Sequence, residues 1–416
     1  YGYPRVIDPH ASDIARFYTD EKSDEHIWAR AEEHFNKTYG IVHPSEQWES
    51  RRGLKESSLK AITDAAGAEY FTARVWERPH WYSSNADLLE KYGLSEREVE
   101  WDNRWWSPII DAEHMNLREN AGMIDLTAFQ ILDLTGPGAV AFAEYLSVNK
   151  VDKPVGTSTY TPWLNHDGGF HSDLTMLRLG DEHIRVVTGA FDGGRDEAWI
   201  KKYMPTDGSV TYSNRTEDYV TIGLWGPNAP AILGQLTDAD LSQEGSPYGS
   251  VRSIVVDGVD VDIFRISYVG DTGWEIYIPW AQGPQVWEAI AAAGADHGLR
   301  PTGAGVYAVG GRIEKGYRLM GAELESEYNP VEAGLARPKV KAADFIGKEA
   351  YLAARDKGPD AICCTFAVED NTDSQGRKRF IQGGNAPIVT NDGERIVDSH
   401  GRVSVVTTAG NGPSYG

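Results

Sequence analysis

The chain has 416 residues, of which 41% are hydrophobic and 25% are charged; this is an ordinary globular composition for two to four domains. The formal net charge of −22 disfavours nucleic acids and anionic membranes as partners, because both select basic surfaces. No apolar run approaches the roughly 20 residues of a membrane-spanning helix, and no signal peptide opens the chain. The two cysteines, Cys363 and Cys364, are adjacent, which predicts neither a disulfide framework nor a metal site and favours a reducing compartment.

The first hundred residues are rich in aromatic and charged side chains. A helix is predicted near Asp24–Lys37, because Ser23 can cap its first turn and acidic residues follow. Further along, Trp76–Tyr82 reads Trp-Glu-Arg-Pro-His-Trp-Tyr. We expect this region to differ in origin from the rest of the chain.

An internal repeat organises the middle of the chain. Leu134–Ala139 and Leu224–Ala229 each end a short apolar strand at Gly-Pro-x-Ala. A helix with proline near its first turn follows each of them, over 140–146 and 230–236. Two matching contexts indicate two related structural units.

Both units continue in a similar order. After the first helix we predict strands over 159–164, 173–179 and 184–187 and a helix over 195–203. After the second we predict strands over 251–256, 259–267 and 275–278 and a helix over 284–297. Asp257-Gly258 predicts a two-residue hairpin turn, and Gly298 predicts the end of the last helix. The order β-α-β-β-α predicts two split-βαβ, ferredoxin-like units.

From residue 338 onward the pattern changes again. Phe345–Lys348 opens a short helix, and short strands separated by Gly and Asp turns form a barrel-like pattern. A strand over 403–410 leads into a turn-like end that starts no further element. Because the chain also begins with Tyr1 rather than Met, we expect it to be part of a longer protein.

Two stretches place a carboxylate beside a glycine turn at the edge of a predicted strand. Asp173 follows Gly168-Gly169, and Glu275 follows a loop with Gly270 and Gly273, where glycine allows close approach to a ligand. From position alone, Asp173 could instead be a turn cap and Glu275 an exposed residue facing a Lys or Arg. A fixed carboxylate in a low-dielectric site would stabilise an iminium-like cation or accept a proton. Glu275 could accept two hydrogen bonds from an aminopyrimidine edge, such as that of a pterin.

Other residues near these stretches suit a flat ligand less specifically. Tyr160 and Tyr268 could flank a ring by stacking, or could be ordinary half-buried strand residues. Val187-Thr188-Gly189 ends a strand whose backbone could approach a ligand. Arg312 could hold the second unit through a bidentate carboxylate pair, the structural role that we favour.

Several motifs give negative or weak results. Gly303–Gly310 does not fit the dinucleotide-binding pattern GxGxxG, and neither a Walker loop nor a GxSxG elbow is present. His166 and His171 flank the Gly-Gly turn, where we expect solvent-exposed loop histidines rather than site residues.

The stretches Asn165–Thr175 and Ser267–Glu275 resemble the folate-binding motifs of the glycine cleavage T-protein family. They resemble even more closely the folate half of the dimethylglycine and sarcosine dehydrogenases and oxidases. Arg312–Gly316 is similar to the family's Arg-Leu-Glu-x-Gly motif, although Ala308 stands where many T-proteins carry a further arginine. Gly2–Pro4, Ser12–Phe17 and Trp76–Pro79 resemble the segment that links a flavin-dependent amine oxidase domain to that half.

The resemblance implies an α+β fold: a T-protein-like clover-leaf of two ferredoxin-like split-βαβ units and a truncated C-terminal β-barrel, preceded by the tail of a flavin amine-oxidase domain. The implied domains are 1–104 for the oxidase tail and linker, 105–337 for the folate-binding domain with repeats of about 105–215 and 216–337, and 338–416 for the incomplete barrel.

The resemblance also implies an activity. Asp173 would be catalytic, the residues that bind tetrahydrofolate would be Tyr160, Val187, Gly189, Tyr268, Glu275 and Arg312, and no metal would be needed. The parent protein would oxidise dimethylglycine or sarcosine with FAD held by a missing N-terminal domain. The iminium would then reach tetrahydrofolate to give 5,10-methylenetetrahydrofolate. The compartment would be the cytoplasm, or the mitochondrial matrix in a eukaryote.

Two alternatives remain open. Tetrahydrofolate-dependent O- or S-demethylases share the module and transfer a methyl group without oxidation, although Trp76–Pro79 disfavours them. A non-catalytic module that only binds folate is disfavoured by Asp173.

Overall fold

The computed structural model describes residues 14–380, 383–384 and 386–415. The Gly2–Pro4 motif and the first two residues of Ser12–Phe17 lie outside these residues. Within the described part of the chain, no helix is long and apolar enough to cross a membrane.

The N-terminal region contains several helices, one hairpin and one further strand, joined by irregular segments. Its first helix spans the predicted residues, and Ser23 Oγ accepts a hydrogen bond from the backbone N–H of His26 at 3.2 Å, which confirms the predicted cap. Strands β1 and β2 pair antiparallel. The elements are α1 (Asp24–Lys37), α2 (Lys60–Ala65), β1 (Ala68–Ala73), β2 (Trp76–Tyr82), α3 (Asp87–Tyr92), α4 (Glu100–Asn103), α5 (Ile109–Glu119) and β3 (Ala121–Asp125).

The first repeat forms a five-stranded antiparallel sheet with two helices. Its strand order is β5-β6-β7-β4-β8, which is the split-βαβ arrangement with one added edge strand. The elements are β4 (Gln130–Thr135), α6 (Ala139–Leu146), β5 (Ser158–Leu164), β6 (Phe170–Gly180), β7 (His183–Thr188), α7 (Gly193–Tyr203) and β8 (Thr211–Asn214).

The second repeat has the same strand order with β3 inserted. Its sheet runs β10-β11-β12-β9-β3-β13, so β3 separates the counterparts of β4 and β8. The elements are β9 (Tyr219–Trp225), α8 (Ala229–Leu233), β10 (Val251–Val256), β11 (Val259–Phe264), β12 (Gly273–Pro279), α9 (Gly283–Gly294) and β13 (Leu299–Pro301). The predicted repeat and α+β fold are confirmed, whereas β11 ends three residues before the predicted end of its strand.

The repeated Gly-Pro turns have a steric cause. Gly136 and Gly226 adopt φ of 108° and 126°, a region that L side chains rarely enter. A Cβ at Gly226 would lie 2.5 Å from the carbonyl oxygen of Asn120, and one at Gly136 would lie 2.6 Å from that of Ser209. Each turn therefore passes directly against a neighbouring backbone.

The two sheets pack against each other. Each repeat has its own apolar core between sheet and helices, built around Leu134 and Met176 in the first and around Ile222 and Ile276 in the second. A third cluster joins residues of both sheets: Ile131, Leu177, Val187, Val251, Phe264 and Tyr277. The opposite face of each sheet thus looks toward the other repeat.

The C-terminal region has little regular structure among its described residues. A π-helical turn over Val306–Gly311 continues into α10 (Arg312–Glu314), and the helix predicted after 345–348 is α11 (Lys348–Lys357). Two-residue strands β14 (Ala386–Pro387) and β15 (Val405–Val406) pair antiparallel. Short strands were predicted here, but the strand over 403–410 is much shorter than predicted. No closed barrel forms among residues 338–380, 383–384 and 386–415.

Candidate functional site

Asp173 lies on the face of β6 that looks toward the second repeat. Its neighbours Leu174 and Met176 belong to the core of the first repeat, whereas Leu177 belongs to the cluster between the sheets. Because side chains alternate along a strand, Asp173, Thr175 and Leu177 share the inter-sheet face. Asp173 lies inside β6, three residues after the first residue of the strand. Our prediction that the strand begins at Asp173 is therefore wrong by three residues.

Glu275 lies on the matching face of β12. Trp274 and Ile276 belong to the core of the second repeat, while Tyr277 joins the inter-sheet cluster. Alternation therefore turns Glu275 toward the first repeat. The two carboxylates predicted from the sequence look into the same space between the sheets, which we call the inter-sheet pocket.

Tight turns set the position of each carboxylate. Before β6, Asn165 Oδ1 accepts hydrogen bonds from the backbone N–H groups of Asp167 and Gly169 at 2.9 and 3.1 Å. At the first residue of β12, Gly273 adopts φ of 152°, and a Cβ there would lie 1.9 Å from the carbonyl oxygen of Leu224. Glycine is required at that point because the loop runs directly against β9.

Asp173 has a hydrogen-bond donor but no counter-ion. Tyr160 Oη donates to Asp173 Oδ2 at 2.7 Å. Loss of hydration raises the pKa of Asp173 to about 6, and the negative charge of Asp192 acts in the same direction. Among the described residues no cation lies within 4 Å of the Asp173 carboxylate. The nearby Arg195 is paired with Asp192 instead. Such a group can stabilise a cationic ligand or exchange a proton near neutral pH.

Glu275 is a buried carboxylate with unused acceptor capacity. Its side chain is 5% exposed, and it accepts a hydrogen bond from Tyr277 Oη at 2.7 Å. Burial raises its pKa to about 7. Its cross-strand neighbours are Gly223 and Phe264, so the alternative of an exposed residue facing a Lys or Arg is wrong. Several lone pairs stay free for a donor such as an aminopyrimidine.

Tyrosines form one wall of the pocket. The ring of Tyr268 lies 5.0 Å from that of Tyr307 and stacks on Tyr317 at 5.8 Å and 13° between planes. The Tyr268 hydroxyl donates to the backbone oxygen of Arg318, which fixes the ring. Burial raises the pKa of Tyr268 and of Tyr307, and the charges of Glu275, for Tyr307, and of Asp173, for both, act in the same direction. These groups therefore share one electrostatic environment.

The segment Val187–Gly189 is less open than predicted. Val187 pairs with Ile131 on one side and Thr175 on the other, so its backbone groups belong to the sheet while its side chain lines the inter-sheet cluster. The Gly189 carbonyl accepts hydrogen bonds from the backbone N–H groups of Asp192 and Gly193, which start α7. A contact from this segment to a ligand would therefore come mainly from the Val187 side chain.

Arg312 is a structural anchor instead of a ligand-facing residue. It is 1% exposed, and its guanidinium donates to the Ala308 and Tyr317 carbonyls, to Glu323 Oε2 at 2.8 Å and to Thr408 Oγ1. The expected carboxylate partner is present, but only one nitrogen reaches it, so the pairing is not bidentate. These contacts support the structural role that we favoured, and the cofactor-binding role implied for Arg312 stays a prediction.

The two histidines near the Gly-Gly turn differ from each other. His166 is exposed as predicted and its Nε2 lies 2.8 Å from Tyr203 Oη. His171 is 2% exposed and its ring stacks on Trp199 at 3.9 Å, so the prediction of an exposed loop histidine is wrong for it.

Two further residues border the pocket and were not predicted as site residues. Tyr307 lies in the Gly-rich stretch, where a Cβ at Gly303 would lie 1.9 Å from the carbonyl oxygen of His80; these glycines allow the chain to pass against β2. Arg78 lies on β2 itself. The only sequence signals were the Gly-rich stretch and the Trp-Glu-Arg-Pro motif, and neither reveals that the charge of Arg78 acts on Tyr307. No group of side chains suited to a metal ion occurs in the described part of the chain.

Comparison with known proteins agrees with this geometry. Residues 59–341 match the family described as the GCVT N-terminal domain, and residues 2–57 match the FAD dependent oxidoreductase central domain. The chain is 31% identical to human mitochondrial sarcosine dehydrogenase over 91% of its own length and 45% of that protein. It therefore spans less than half the length of that relative.

Two further likenesses concern the folate-binding module alone. The chain is 35% identical to an aminomethyltransferase of Listeria monocytogenes over 65% of its own length and 74% of that protein. In three dimensions it is similar to the glycine cleavage system aminomethyltransferase T of Bartonella henselae, with a TM-score of 0.68 and 24% identity over 87% of this chain and 88% of the other. The latter likeness concerns the fold.

Proposed function

The chain belongs to the folate-binding aminomethyltransferase family of the GCVT N-terminal domain, and on that premise we propose that it transfers a one-carbon unit to tetrahydrofolate. The unit would come from the iminium produced by oxidation of an N-methyl amine such as dimethylglycine or sarcosine, and the product would be 5,10-methylenetetrahydrofolate. The observation that carries the proposal is the pair Asp173 and Glu275: a half-buried and a buried carboxylate on the inter-sheet faces of the two repeats, neither with a counter-ion among the described residues.

Asp173 is assigned the catalytic role. Its negative charge, held in a site with little water, stabilises the positive charge of the iminium and orients the attack on its carbon. Overall, the carbon leaves its amine nitrogen for two nitrogens of tetrahydrofolate, the amine gains one proton and one proton is released. With a pKa of about 6, Asp173 is suited to handle that proton near neutral pH.

Glu275, Tyr268, Tyr160 and Val187 are assigned to binding. Glu275 accepts hydrogen bonds from the pterin, and its burial makes each bond more valuable than it would be in water. The rings of Tyr160 and Tyr268 do not contact each other. A flat ligand ring that stacks on both tyrosines would need such a gap between them. Tyr160 also holds Asp173 in place through its hydroxyl.

The whole protein's reaction is part of the same proposal. The match of residues 2–57 to the FAD dependent oxidoreductase central domain supports an oxidase half that generates the iminium with FAD. The compartment would be the cytoplasm or, as the name of the human relative suggests, the mitochondrial matrix.

The test is a transfer assay with wild-type protein and the Asp173→Asn variant. Sarcosine mixed with formaldehyde supplies an iminium, and the rate of 5,10-methylenetetrahydrofolate formation is measured above the reaction without protein. We expect the rate of the variant to be at least 100-fold lower than that of wild type, because asparagine keeps the shape of the aspartate side chain and removes its charge. Asp167→Asn, in the exposed turn before β6, is the matched control and should keep wild-type activity.

The product also separates the alternatives. Formation of 5-methyltetrahydrofolate from a methylated donor would favour an O- or S-demethylase. Folate binding without turnover, unchanged in Asp173→Asn, would favour a module that only binds folate.

A further inference from the structure

Arg78 is a buried cation without a partner. Its side chain is 7% exposed, and its Nε and Nη2 are buried with no hydrogen-bond partner among the described residues. No carboxylate of that part of the chain lies within 4 Å of it. By contrast, the buried Arg185 forms two hydrogen bonds with Asp133. Arg78 therefore differs from Arg185, although Arg178 also has buried nitrogens without a partner among the described residues.

The neighbouring acidic side chains do not neutralise Arg78. Glu77 points to the other face of β2, where it binds Arg52. Asp125 is within electrostatic reach, but Asp125 Oδ1 accepts from the N–H and hydroxyl of Thr127, and burial raises its pKa. The guanidinium therefore keeps a net positive charge in a dry environment.

The remaining neighbours of Arg78 are mostly aromatic. Its guanidinium carbon lies 5.7 Å from the ring centroid of Phe71 and 5.9 Å from that of Phe129. These rings attract the cation weakly but leave its in-plane N–H groups unused. His80 is also close, and burial together with Arg78 lowers its pKa to about 4, so it supplies no negative charge.

Arg78 borders the inter-sheet pocket through Phe129 and Tyr307. The Phe129 ring lies 5.9 Å from the Tyr307 ring, and the charge of Arg78 acts directly on the Tyr307 hydroxyl. No described residue donates to or accepts from that hydroxyl. Two unpaired donors, a guanidinium and a phenol, thus lie at one end of the pocket that also contains Asp173 and Glu275.

We propose that Arg78 and the Tyr307 hydroxyl form a carboxylate-binding subsite at this end of the inter-sheet pocket. A carboxylate matches the planar guanidinium through two parallel hydrogen bonds and could accept a third from the phenol. Burying an unpaired charge is costly, and a bound anion would remove that cost. The inference rests on the proposed function, which supplies two carboxylates: that of the amino-acid-derived iminium and the glutamate tail of tetrahydrofolate.

The test uses Arg78→Met, which keeps the length of the side chain and removes its charge, together with Arg78→Lys. Each protein is titrated calorimetrically with tetrahydrofolate, with the amide of tetrahydropteroate, which lacks the glutamate and carries no carboxylate, and with sarcosine. We expect Arg78→Met to weaken one carboxylate ligand at least tenfold, and Arg78→Lys to recover only part of that loss because lysine cannot bind bidentately.

Comparison of the three titrations identifies the ligand that supplies the carboxylate. Loss of affinity for tetrahydrofolate but not for the amide of tetrahydropteroate assigns the subsite to the glutamate tail. Loss for sarcosine alone assigns it to the amine substrate. The proposal would be overturned if wild type and Arg78→Met bound all three ligands with equal affinity, or if Arg78→Met lost affinity equally for tetrahydrofolate and the amide of tetrahydropteroate alone. A wild-type chain that binds neither tetrahydrofolate nor sarcosine would also overturn it.

A stability measurement separates this role from a structural one. Because Arg78 has no partner, Arg78→Met should melt at the same temperature as wild type or higher, whereas loss of a structural arginine lowers Tm. Arg300→Met, which removes a surface arginine paired with Asp87, is the control and should bind all ligands normally. Failure of the proposed function is seen separately, in the transfer assay with Asp173→Asn, which leaves Arg78 in place.

Discussion

At the residue scale, the absence of counter-ions decides what the pocket can do. Asp173 and Glu275 each accept one hydrogen bond from a tyrosine hydroxyl. The pKa of each carboxylate is raised because burial removes its hydration and no described cation compensates for that loss. A structural ion pair such as Arg312–Glu323 behaves differently, since the pairing lowers the pKa of Glu323. Two such carboxylates on the inter-sheet faces indicate a site prepared for a ligand with positive charge and hydrogen-bond donors.

The pKa of Asp173 predicts the pH dependence of transfer. If the ionised form stabilises the iminium, the rate at saturating tetrahydrofolate should rise with pH through about 6 and then level off. The hydrogen bond from Tyr160 lowers the pKa of Asp173, so Tyr160→Phe should move the midpoint to higher pH. Rate profiles from pH 5 to 8 check this, with Tyr212→Phe on β8 as the control. A midpoint that stays in place in Tyr160→Phe would contradict the assigned contact.

Residue roles were predictable only where a local motif carried them. Asp173 and Glu275 were identified because each follows a glycine turn whose shape the sequence reveals. The burial of His171 and the position of Arg78 were not predicted, and the anchoring role favoured for Arg312 was predicted without its partners, because these features depend on residues far along the chain. Trp199 covers His171, and Thr408 completes the binding of Arg312.

At the scale of elements, the Gly-Pro turn is the feature that both repeats share. The sequence predicted the strands and helices around it well, since their periodicity and caps are local. It did not predict that β3 inserts between β9 and β13, because pairing between distant strands leaves no local pattern. It also overextended the C-terminal strand over 403–410, where residues of high β propensity form few cross-strand pairs.

Replacement of Gly226 tests the steric explanation of this turn. Gly226→Ala should lower the free energy of unfolding by on the order of 3–5 kcal/mol, from backbone strain and from the clash with Asn120. Gly258→Ala is the matched control: its φ is also positive, but no atom lies within 4 Å of its Cβ position, so about 1–2 kcal/mol is expected. Urea unfolding measures both. An equal loss of unfolding free energy in the two variants would contradict the steric explanation. It would show that the positive φ alone, without the close contact to Asn120, accounts for the need for glycine at position 226.

At the scale of the whole molecule, the site exists only because two repeats face each other. Each repeat contributes one carboxylate, and the N-terminal region closes the pocket from a third side through β2. Buried Glu113 ties these parts together, since it accepts hydrogen bonds from Tyr82 N, Asn85 Nδ2 and Gly303 N, each at 2.8 Å. The two family matches meet at residues 57–59, whereas we predicted the change of domain near 104; the boundary stays a prediction.

The central claim is that tetrahydrofolate binds between the two sheets against Glu275. Calorimetric titration of the chain with tetrahydrofolate tests it most directly, with Glu275→Ala and the exposed-site control Glu288→Ala measured alongside. We predict saturable one-site binding that Glu275→Ala weakens at least tenfold, through loss of charge-assisted hydrogen bonds, and that Glu288→Ala leaves unchanged. Absence of binding by the wild-type chain, or equal affinity in Glu275→Ala, would contradict the account.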